Sequence, residues 1–394
     1  MEQTEIKTIW NRSFVLILIV NILSTLGIFM MNSTITPYAT ILGAGASLAG
    51  IVSGLYYVFA MVFRPLSGIA ANRVSRRNTY LLFAAVMFVT AVVMYATTSI
   101  TVVTIFRLIQ GIGYCFITTV TMALATELVP QDHLGEGIAC FGLAQIISTS
   151  VGPAIGLFLS QVIGYRNIYL VAAGLFLLSV PLCARIQTTY VPAYTGGLFS
   201  GVSLKEIVAP ESIRPACVGM FFGMLNSVLM SYIALYAASL DIGGASGYFL
   251  VNGAAMFVSR TITKSFADKK TLGFVAALSG FFLIAAMVIL GLGHSTAALL
   301  LAGGVFGIGY GILLPVTQTN CVRRPPMERR GSGTSTYSLG IDLGFSIGTM
   351  IAGVIADSLG YSKMFLCFVI PGIIAVIIAL CDDYILRHQD AEAS

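Results

Sequence analysis

Residues 14–35 read FVLILIVNILSTLGIFMMNSTI, a stretch of 22 residues without an ionisable side chain. A helix rises about 1.5 Å per residue, so roughly 20 apolar residues cross the ~30 Å hydrocarbon core of a bilayer. The first seven residues are continuously apolar and lack the alternation of a membrane-spanning β-strand. We therefore expect this stretch to be a membrane-spanning α-helix.

Similar apolar runs continue along the whole chain, in which 57% of residues are hydrophobic and 9% are charged. Soluble domains carry about a quarter charged residues. Because hydrocarbon offers no partner to backbone groups, each run is predicted to be helical. The expected fold class is an all-α membrane protein with twelve transmembrane helices. Their predicted positions are near 14–36, 47–71, 79–98, 101–126, 137–162, 168–186, 213–237, 246–267, 273–293, 297–320, 333–357 and 363–386.

Basic residues lie mostly in alternate loops. If the N-terminus is cytoplasmic, the inside segments carry fifteen Lys and Arg, whereas the outside loops carry only Arg166 and Lys363. By the positive-inside rule, both termini are predicted to be cytoplasmic in a multi-pass protein of the cell (plasma) membrane. The four remaining basic residues lie within spans and are Arg64, Arg107, Arg260 and Lys264.

The two halves of the chain match at a constant offset of 196 residues, without a gap. Arg64 corresponds to Arg260, and the sequence GIGY at 111–114 recurs at 307–310. A long ungapped match of this kind indicates an internal duplication. We expect two pseudo-symmetric six-helix bundles, related by an axis along the membrane normal.

The longest polar stretch, residues 187–212, is rich in Gly, Ser and Pro and is interpreted as a cytoplasmic linker. The predicted domains are an N-terminal six-helix bundle at 1–186, this linker, and a C-terminal six-helix bundle at 213–394.

Arg64-Pro-Leu-Ser-Gly68, followed by Asn72-Arg73 and Arg76-Arg77, resembles the signature loop between spans two and three of one transporter family, the major facilitator superfamily. Arg107 with Gln110-Gly-Ile-Gly113 resembles its span-four motif, and Gly152-Pro153-Ala-Ile-Gly156 resembles its span-five motif, which is associated with antiporters. In combination with Asp342-Leu-Gly-Phe-Ser-Ile-Gly348, these motifs look most like the drug and metabolite efflux subgroup.

We expect a monomeric transporter that works by alternating access in the lipid bilayer, with a small-molecule substrate and the proton as partners, and without a nucleic acid or a cofactor. The resemblance adds expectations about single motifs. It implies a helix bend at Gly152, Pro153 and Gly156. It also implies a gating motif made of Arg64, Gly68, Asn72, Arg73, Arg76 and Arg77, with Arg260 and Asp268 in the second half. The chain departs from the family at Asn72, where the loop usually has an aspartate, so an ion pair there is in question.

Ionisable groups inside a bilayer cost several kcal/mol unless they are paired or hydrated, which makes them candidates for function. Asp342 is the acid near the middle of the eleventh predicted span, and it is interpreted as the proton-coupling site, with a structural hydrogen bond as the alternative. By resemblance Arg107 assists coupling; a structural tie is the alternative. Arg64 and Arg260 are interpreted first as snorkelling or helix-tying residues.

The substrate cavity is expected to be lined by spans one, four, seven and ten, as the resemblance implies. Tyrosines there combine apolar area with a hydroxyl group, which suits amphipathic ligands. Helix packing is the alternative for each polar residue. The candidate lining residues are Asn21, Thr25, Tyr114, Thr118, Asn226, Tyr232, Tyr310 and Gln318.

Catalytic and metal-binding patterns are missing from the sequence. The three histidines lie in predicted loops or the tail, and the seven cysteines form no CxxC pair. There is no HExxH or GxSxG motif. We therefore expect no enzyme, no metal and no cofactor. The leading interpretation is proton-coupled efflux of a small organic compound, a drug or metabolite; the alternatives are proton-symport uptake and a transport-inactive membrane sensor.

Overall fold

The structure is a computed structural model that describes residues 9–188, 208–263, 266 and 270–393. These residues are helical almost throughout, and no strand occurs among them. The helices are α1 Arg12–Ile41, α2 Ala46–Arg73, α3 Arg76–Ala96, α4 Ile100–Glu127, α5 Leu134–Ile163, α6 Tyr165–Ala184, α7 Ile213–Ser239, α8 Ala245–Ile262, α9 Leu272–Leu292, α10 Thr296–Arg323, α11 Arg330–Leu359, α12 Tyr361–Cys367 and α13 Val369–Ala393. The predicted all-α membrane fold is confirmed.

In the described ranges, eleven helical segments are long and apolar enough to cross a membrane. One of them runs through α12 and α13 and corresponds to the twelfth predicted span. The helix missing from this set is α8, and three positions of the eighth predicted span (264, 265 and 267) are not described. Several helices extend beyond the predicted apolar segments; α1, for example, continues to Ile41.

Helix ends show the duplication in three dimensions. Gly164 separates α5 from α6 with a φ of 85°, and Gly360 separates α11 from α12 with a φ of 82°. These two glycines are equivalent in the repeat, and both adopt a positive φ that a residue with a Cβ rarely tolerates. Other helices begin with a side-chain cap: the oxygens of Ser75, Thr271 and Ser295 accept backbone N–H groups in the first turns of α3, α9 and α10.

Contacts divide the chain into two compact units. The first contains Met1–Thr34 and Val62–Gly201, and the second contains Ile35–Met61 and Val202–Ser394. The C-terminal end of α1, residues 35–41, and the beginning of α2, residues 46–61, therefore belong to the second unit. Because this division differs from the one drawn on the sequence, the domains 1–186, 187–212 and 213–394 stay a prediction. Positions 189–207 of the linker, together with Lys264 and Asp268, lie outside the described residues.

Glycines bring the same pairs of helices together in each half. In the first unit, a Cβ on Gly152 of α5 would lie 2.9 Å from Phe29 Cβ of α1, and one on Gly156 would lie 3.1 Å from Met30 Cα. These contacts show that α5 packs closely against α1. Pro153 lies inside α5, which is continuous from Leu134 to Ile163, and the bend at this motif stays a prediction.

In the second unit, the glycine equivalent to Gly152 is Gly348 on α11, where a Cβ would lie 2.8 Å from Met224 Cα of α7. Gly344, one turn earlier, is packed still more tightly, because a Cβ there would lie 2.1 Å from the Met220 carbonyl oxygen. Such small residues let two helix backbones approach and gain dispersion contacts in a lipid environment.

We expect Gly344→Ala to destabilise the protein, because the added methyl must push α11 away from α7; overpacking of this kind costs about 1–3 kcal/mol. The thermal unfolding temperature in detergent measures the effect. Gly331→Ala is the matched control on the same helix, since nothing lies within 4 Å of its Cβ position. Equal unfolding temperatures for the two variants would contradict the assigned packing.

Candidate functional site

One face of α4 carries a line of polar side chains. The residues are spaced three or four apart, as neighbours on one helical face must be, and they are Arg107, Gln110, Tyr114, Thr118 and Thr121. Two of them were predicted cavity residues, and Arg107 was a predicted coupling residue. The structure shows that each contacts a polar partner in the first unit or on α4 itself.

Arg107 is completely buried in the predicted outer part of α4, about 10 Å along the helix from Ile100. Its Nη2 donates to Asn32 Oδ1 of α1 at 2.9 Å, and its Nη1 donates to Gln110 Oε1 at 3.0 Å. The Gln110 amide nitrogen in turn lies 3.5 Å from the Met31 sulfur. Two amide oxygens thus orient the guanidinium, and α1 is tied to α4 through a charge-assisted hydrogen bond.

A second cationic group lies on α2 beside the same face of α4. Arg64 Nη1 donates to Thr118 Oγ1 at 3.3 Å, and its guanidinium carbon lies 5.3 Å from the centre of the Tyr114 ring. The Thr118 hydroxyl donates to the Tyr114 carbonyl at 2.8 Å, which turns an oxygen lone pair towards Arg64. Arg64 and Thr118 each lie nine residues before the end of their helix, and so at similar depth. Tyr114 and Thr118, which are one turn apart on α4, therefore contact the same arginine.

The predicted residues of α1 are buried within the helix packing. Asn21 is 1% exposed, and its Oδ1 accepts from Thr121 Oγ1 at 3.4 Å. Thr25 is equally buried, and its hydroxyl donates to the Asn21 carbonyl within α1. This internal bond is the usual way for a helical threonine to satisfy its hydroxyl group in an apolar environment.

The loop motif is anchored mainly by Arg76. Its Nε donates to the Ala71 carbonyl at 2.9 Å, and its Nη1 donates to the Ala123 carbonyl and to Glu127 Oε2, both at 3.1 Å. These bonds tie the α2–α3 connection to the end of α4. Arg77 Nη1 lies 3.5 Å from the Ile186 carbonyl. The other first-half members lie at the end of α2: Gly68 has open space at its Cβ position, Asn72 is exposed, and Arg73 is half-buried.

Asp342 lies twelve residues after Arg330, about 18 Å along α11 and near its middle, and is only 2% exposed. Phe345 and Ser346 follow it on the same helical face. The Phe345 ring lies 4.8 Å from the Tyr57 ring of α2. The predicted proton site is thus a buried carboxyl group one turn away from a contact between α11 and α2.

The four cavity candidates of the second unit differ in burial. Tyr232 of α7 is fully buried, with its hydroxyl 3.2 Å from the Ala46 carbonyl and 3.0 Å from the Thr349 carbonyl, so it packs α7 against α2 and α11. Tyr310 is 8% exposed and stacks on Phe306 with the ring centres 5.5 Å apart. Asn226 is half-buried and Gln318 is exposed. Arg260 is half-buried near the end of α8.

The sequence alone did not identify Gln110 and Asn32 as the hydrogen-bond partners of Arg107. Gln110 was part of a quoted motif but had no assigned role. Asn32 lies eleven residues after Asn21, on the same face of α1, and also had no assigned role. The spacing along α4 was a usable signal for Gln110. Among the described residues, no group of three His, Cys, Asp or Glu could hold a metal ion.

Known proteins resemble this chain over nearly its whole length. An uncharacterized MFS-type transporter of Burkholderia pseudomallei (strain 1106a) is 27% identical over 345 residues, 83% of this chain and 81% of that protein. The staphylopine export protein of Staphylococcus aureus (strain Mu50) is 22% identical over 377 residues, 90% of this chain and 92% of that protein. The crystal structure of a POT family transporter in complex with a thioalcohol-conjugated peptide shares the fold, with a TM-score of 0.81, 13% identity and coverage of 96% of each chain.

The family model of the Major Facilitator Superfamily matches residues 17–339 and, in a second match, residues 216–389. These matches cover most of the chain and both of its predicted halves. With its apolar helices and repeated packing, this multi-pass membrane protein belongs to the Major Facilitator Superfamily.

Proposed function

We propose that this protein is a secondary transporter that expels a small organic compound, a drug or metabolite, in exchange for protons. The observation that carries the proposal is Asp342, a carboxyl group that is 2% exposed near the middle of a membrane-spanning helix. An isolated ionised carboxylate is unfavourable in such a place, so the group exists either neutralised by a proton or stabilised by partners. Exchange between these states during the cycle would couple proton movement to transport.

Arg107 acts in the proposal as the modulator of this coupling. Its guanidinium stays protonated at any physiological pH, so it supplies a permanent positive charge. The hydrogen bonds to Asn32 and Gln110 hold that charge in place on α1 and α4. If this bundle rocks against the other during the cycle, the fixed charge would change the field that Asp342 on α11 experiences. A purely structural tie between α1 and α4 is the alternative.

The direction of transport is inferred from similarity. The staphylopine export protein, a relative over 90% of this chain, is named for export, and the Gly152-Pro153 motif resembles the one associated with antiporters. Uptake by proton symport would use the same fold with the opposite coupling. A sensor would use the cavity to bind a compound without moving it. The family consists of transporters, which supports transport over an enzymatic activity.

Inverted membrane vesicles test direction and coupling together. A compound found by thermal stabilisation against a panel of metabolites and antibiotics serves as the probe. Vesicles that are acidic inside are expected to accumulate it, and a protonophore should abolish the accumulation. Accumulation that persists after the gradient collapses contradicts antiport. Gradient-driven loss of the compound from preloaded vesicles would indicate symport, and absence of any movement would indicate a sensor.

We expect Asp342→Asn to reduce gradient-driven accumulation at least tenfold while leaving insertion and thermal unfolding close to those of the wild type, because the amide cannot exchange a proton. Exchange of labelled for unlabelled compound without a gradient should continue. Asp241→Asn is the matched control: it removes the same charge at an exposed loop position with a φ of 53°, which asparagine adopts readily. Wild-type coupling in Asp342→Asn would remove this residue from the mechanism.

Arg107→Gln should likewise lower gradient-driven accumulation more than it lowers exchange, because it removes the fixed charge. Asn32→Ala is its control, since it removes one hydrogen bond to the guanidinium and keeps the charge. If accumulation, exchange and thermal unfolding temperature all fall together in Arg107→Gln, the residue is a structural tie and the coupling role is wrong.

A further inference from the structure

The N-terminus of α2 is capped by a residue that is 311 positions away in the sequence. Asp357, near the end of α11, accepts the backbone N–H of Ala46 at 2.8 Å through Oδ1 and that of Ser47 at 2.7 Å through Oδ2. The first N–H groups of a helix have no partner within the helix, and a negative charge there is favoured by the helix dipole. Gly43-Ala44-Gly45 precedes α2, so the helix has no local side chain that could cap it.

Below this cap the two helices touch along their backbones. A Cβ on Gly50 of α2 would lie 2.6 Å from the Thr349 carbonyl oxygen, and one on Gly353 of α11 would lie 2.6 Å from the Ala46 carbonyl oxygen. A Cβ on Gly54 would lie 2.9 Å from the Ser346 carbonyl oxygen. We call this contact, formed by residues 46–57 of α2 and 345–357 of α11, the α2–α11 seam.

Residues of α7 complete the seam. The Tyr232 hydroxyl lies within hydrogen-bonding distance of the Ala46 carbonyl on α2 and of the Thr349 carbonyl on α11. The Ser53 hydroxyl lies 3.2 Å from the Ser231 hydroxyl. Three helices are thus joined by hydrogen bonds whose partners are buried, and buried hydrogen bonds of this kind are costly to leave unmade.

The cap joins two helices that belong to different predicted bundles, α2 to 1–186 and α11 to 213–394. Residues 46–61 of α2 belong to the unit that contains α11, whereas residues 62–73 belong to the other unit. If the predicted N-terminal and C-terminal six-helix bundles rock against each other, the bonds between α2 and α11 must break, because they join one bundle to the other.

A second carboxylate cap in the chain lacks this property. Asp383 of α13 accepts the Gly273 N–H of α9 at 3.0 Å. Both helices lie entirely in the same unit and in the same predicted bundle. This cap has the same chemistry as the one on α2, but it has no reason to break during a cycle.

We infer that Asp357 is a positioning residue of the transport cycle. By capping α2 it stabilises the conformation in which the α2–α11 seam is closed, and its hydrogen bonds to α2 break when the seam opens. The inference rests on the proposed alternating-access transport, and it names Asp357 as the residue that stabilises the state with a closed seam. Since α2 starts and α11 ends on the predicted outer side, the seam would close the outward path.

Accessibility of a cysteine in the seam tests this inference. Ser53→Cys places a nearly isosteric reporter at a position that is 2% exposed. In sealed right-side-out vesicles, a membrane-impermeant maleimide should label this variant slowly. With Asp357→Ala added, labelling should rise at least fivefold. Labelling of the wild-type protein, and of Asp357→Ala alone, measures the background from the seven native cysteines.

Three further variants identify the cause. Asp357→Glu retains the carboxylate and should restore slow labelling. Asp357→Asn has a single acceptor oxygen for two N–H groups, so labelling should be intermediate. Asp383→Ala removes the cap on α9 and should lower the thermal unfolding temperature without changing the labelling of the Ser53→Cys reporter. Unchanged labelling in Asp357→Ala, or an equal rise in Asp383→Ala, would overturn the inference.

This experiment is independent of the substrate. If Asp357→Ala opens the seam but no compound moves in vesicles, the cap is real and the proposed transport fails. If the wild type drives accumulation but labelling never depends on Asp357, the transport stands and the cap has only a structural role.

Discussion

A peptide group inside hydrocarbon finds no water to hydrogen-bond, and this constraint shapes nearly every contact of the protein. It forces the backbone into helices. The geometry of a helix leaves its first N–H groups without a partner inside the helix, so a side chain or water outside the first turn must accept from them. Ser75, Thr271 and Ser295 provide that partner locally. Where the local sequence is Gly-Ala-Gly, before α2, the partner comes from Asp357 of another helix. The same requirement that stabilises a helix thus links two helices that are far apart in sequence.

The constraint also explains how polar side chains are tolerated. In the described part of the chain, most buried Ser and Thr hydroxyls donate to a carbonyl of their own helix, as Thr25 and Thr317 do, and the half-buried Thr118 does the same. Arg107 instead uses amide oxygens of α1 and α4, and Arg64 uses a hydroxyl and an aromatic ring. These solutions concentrate polarity on one face of α4.

Close packing supplies what the hydrophobic effect cannot, since lipid tails are as apolar as leucine. Gly344 and Gly348 let α11 lie directly on α7, and Gly50 and Gly54 let α2 lie directly on α11. Both sets consist of glycines, but they join different helices. The first set joins α11 to α7, which belong to the same predicted bundle. The second set joins α2 to α11, which belong to different predicted bundles. Glycine in the second set lets the backbones of α2 and α11 come close, beside the contact between the Tyr57 and Phe345 rings.

The sequence alone determined the features that depend on local composition: the all-helical fold, the approximate helix positions, the repeat, and a buried acid in the middle of α11. Each follows from apolar length, charge or spacing along the chain. The sequence could not determine partners such as Asn32 for Arg107, or Asp357 for the first turn of α2, because 75 and 311 residues separate them. It also placed Tyr232 among cavity candidates, whereas the structure shows it packed against two backbone carbonyls. Which side chains meet was decided by the tertiary structure, because contact in a helical bundle depends on helix rotation and on the residues small enough to let backbones touch.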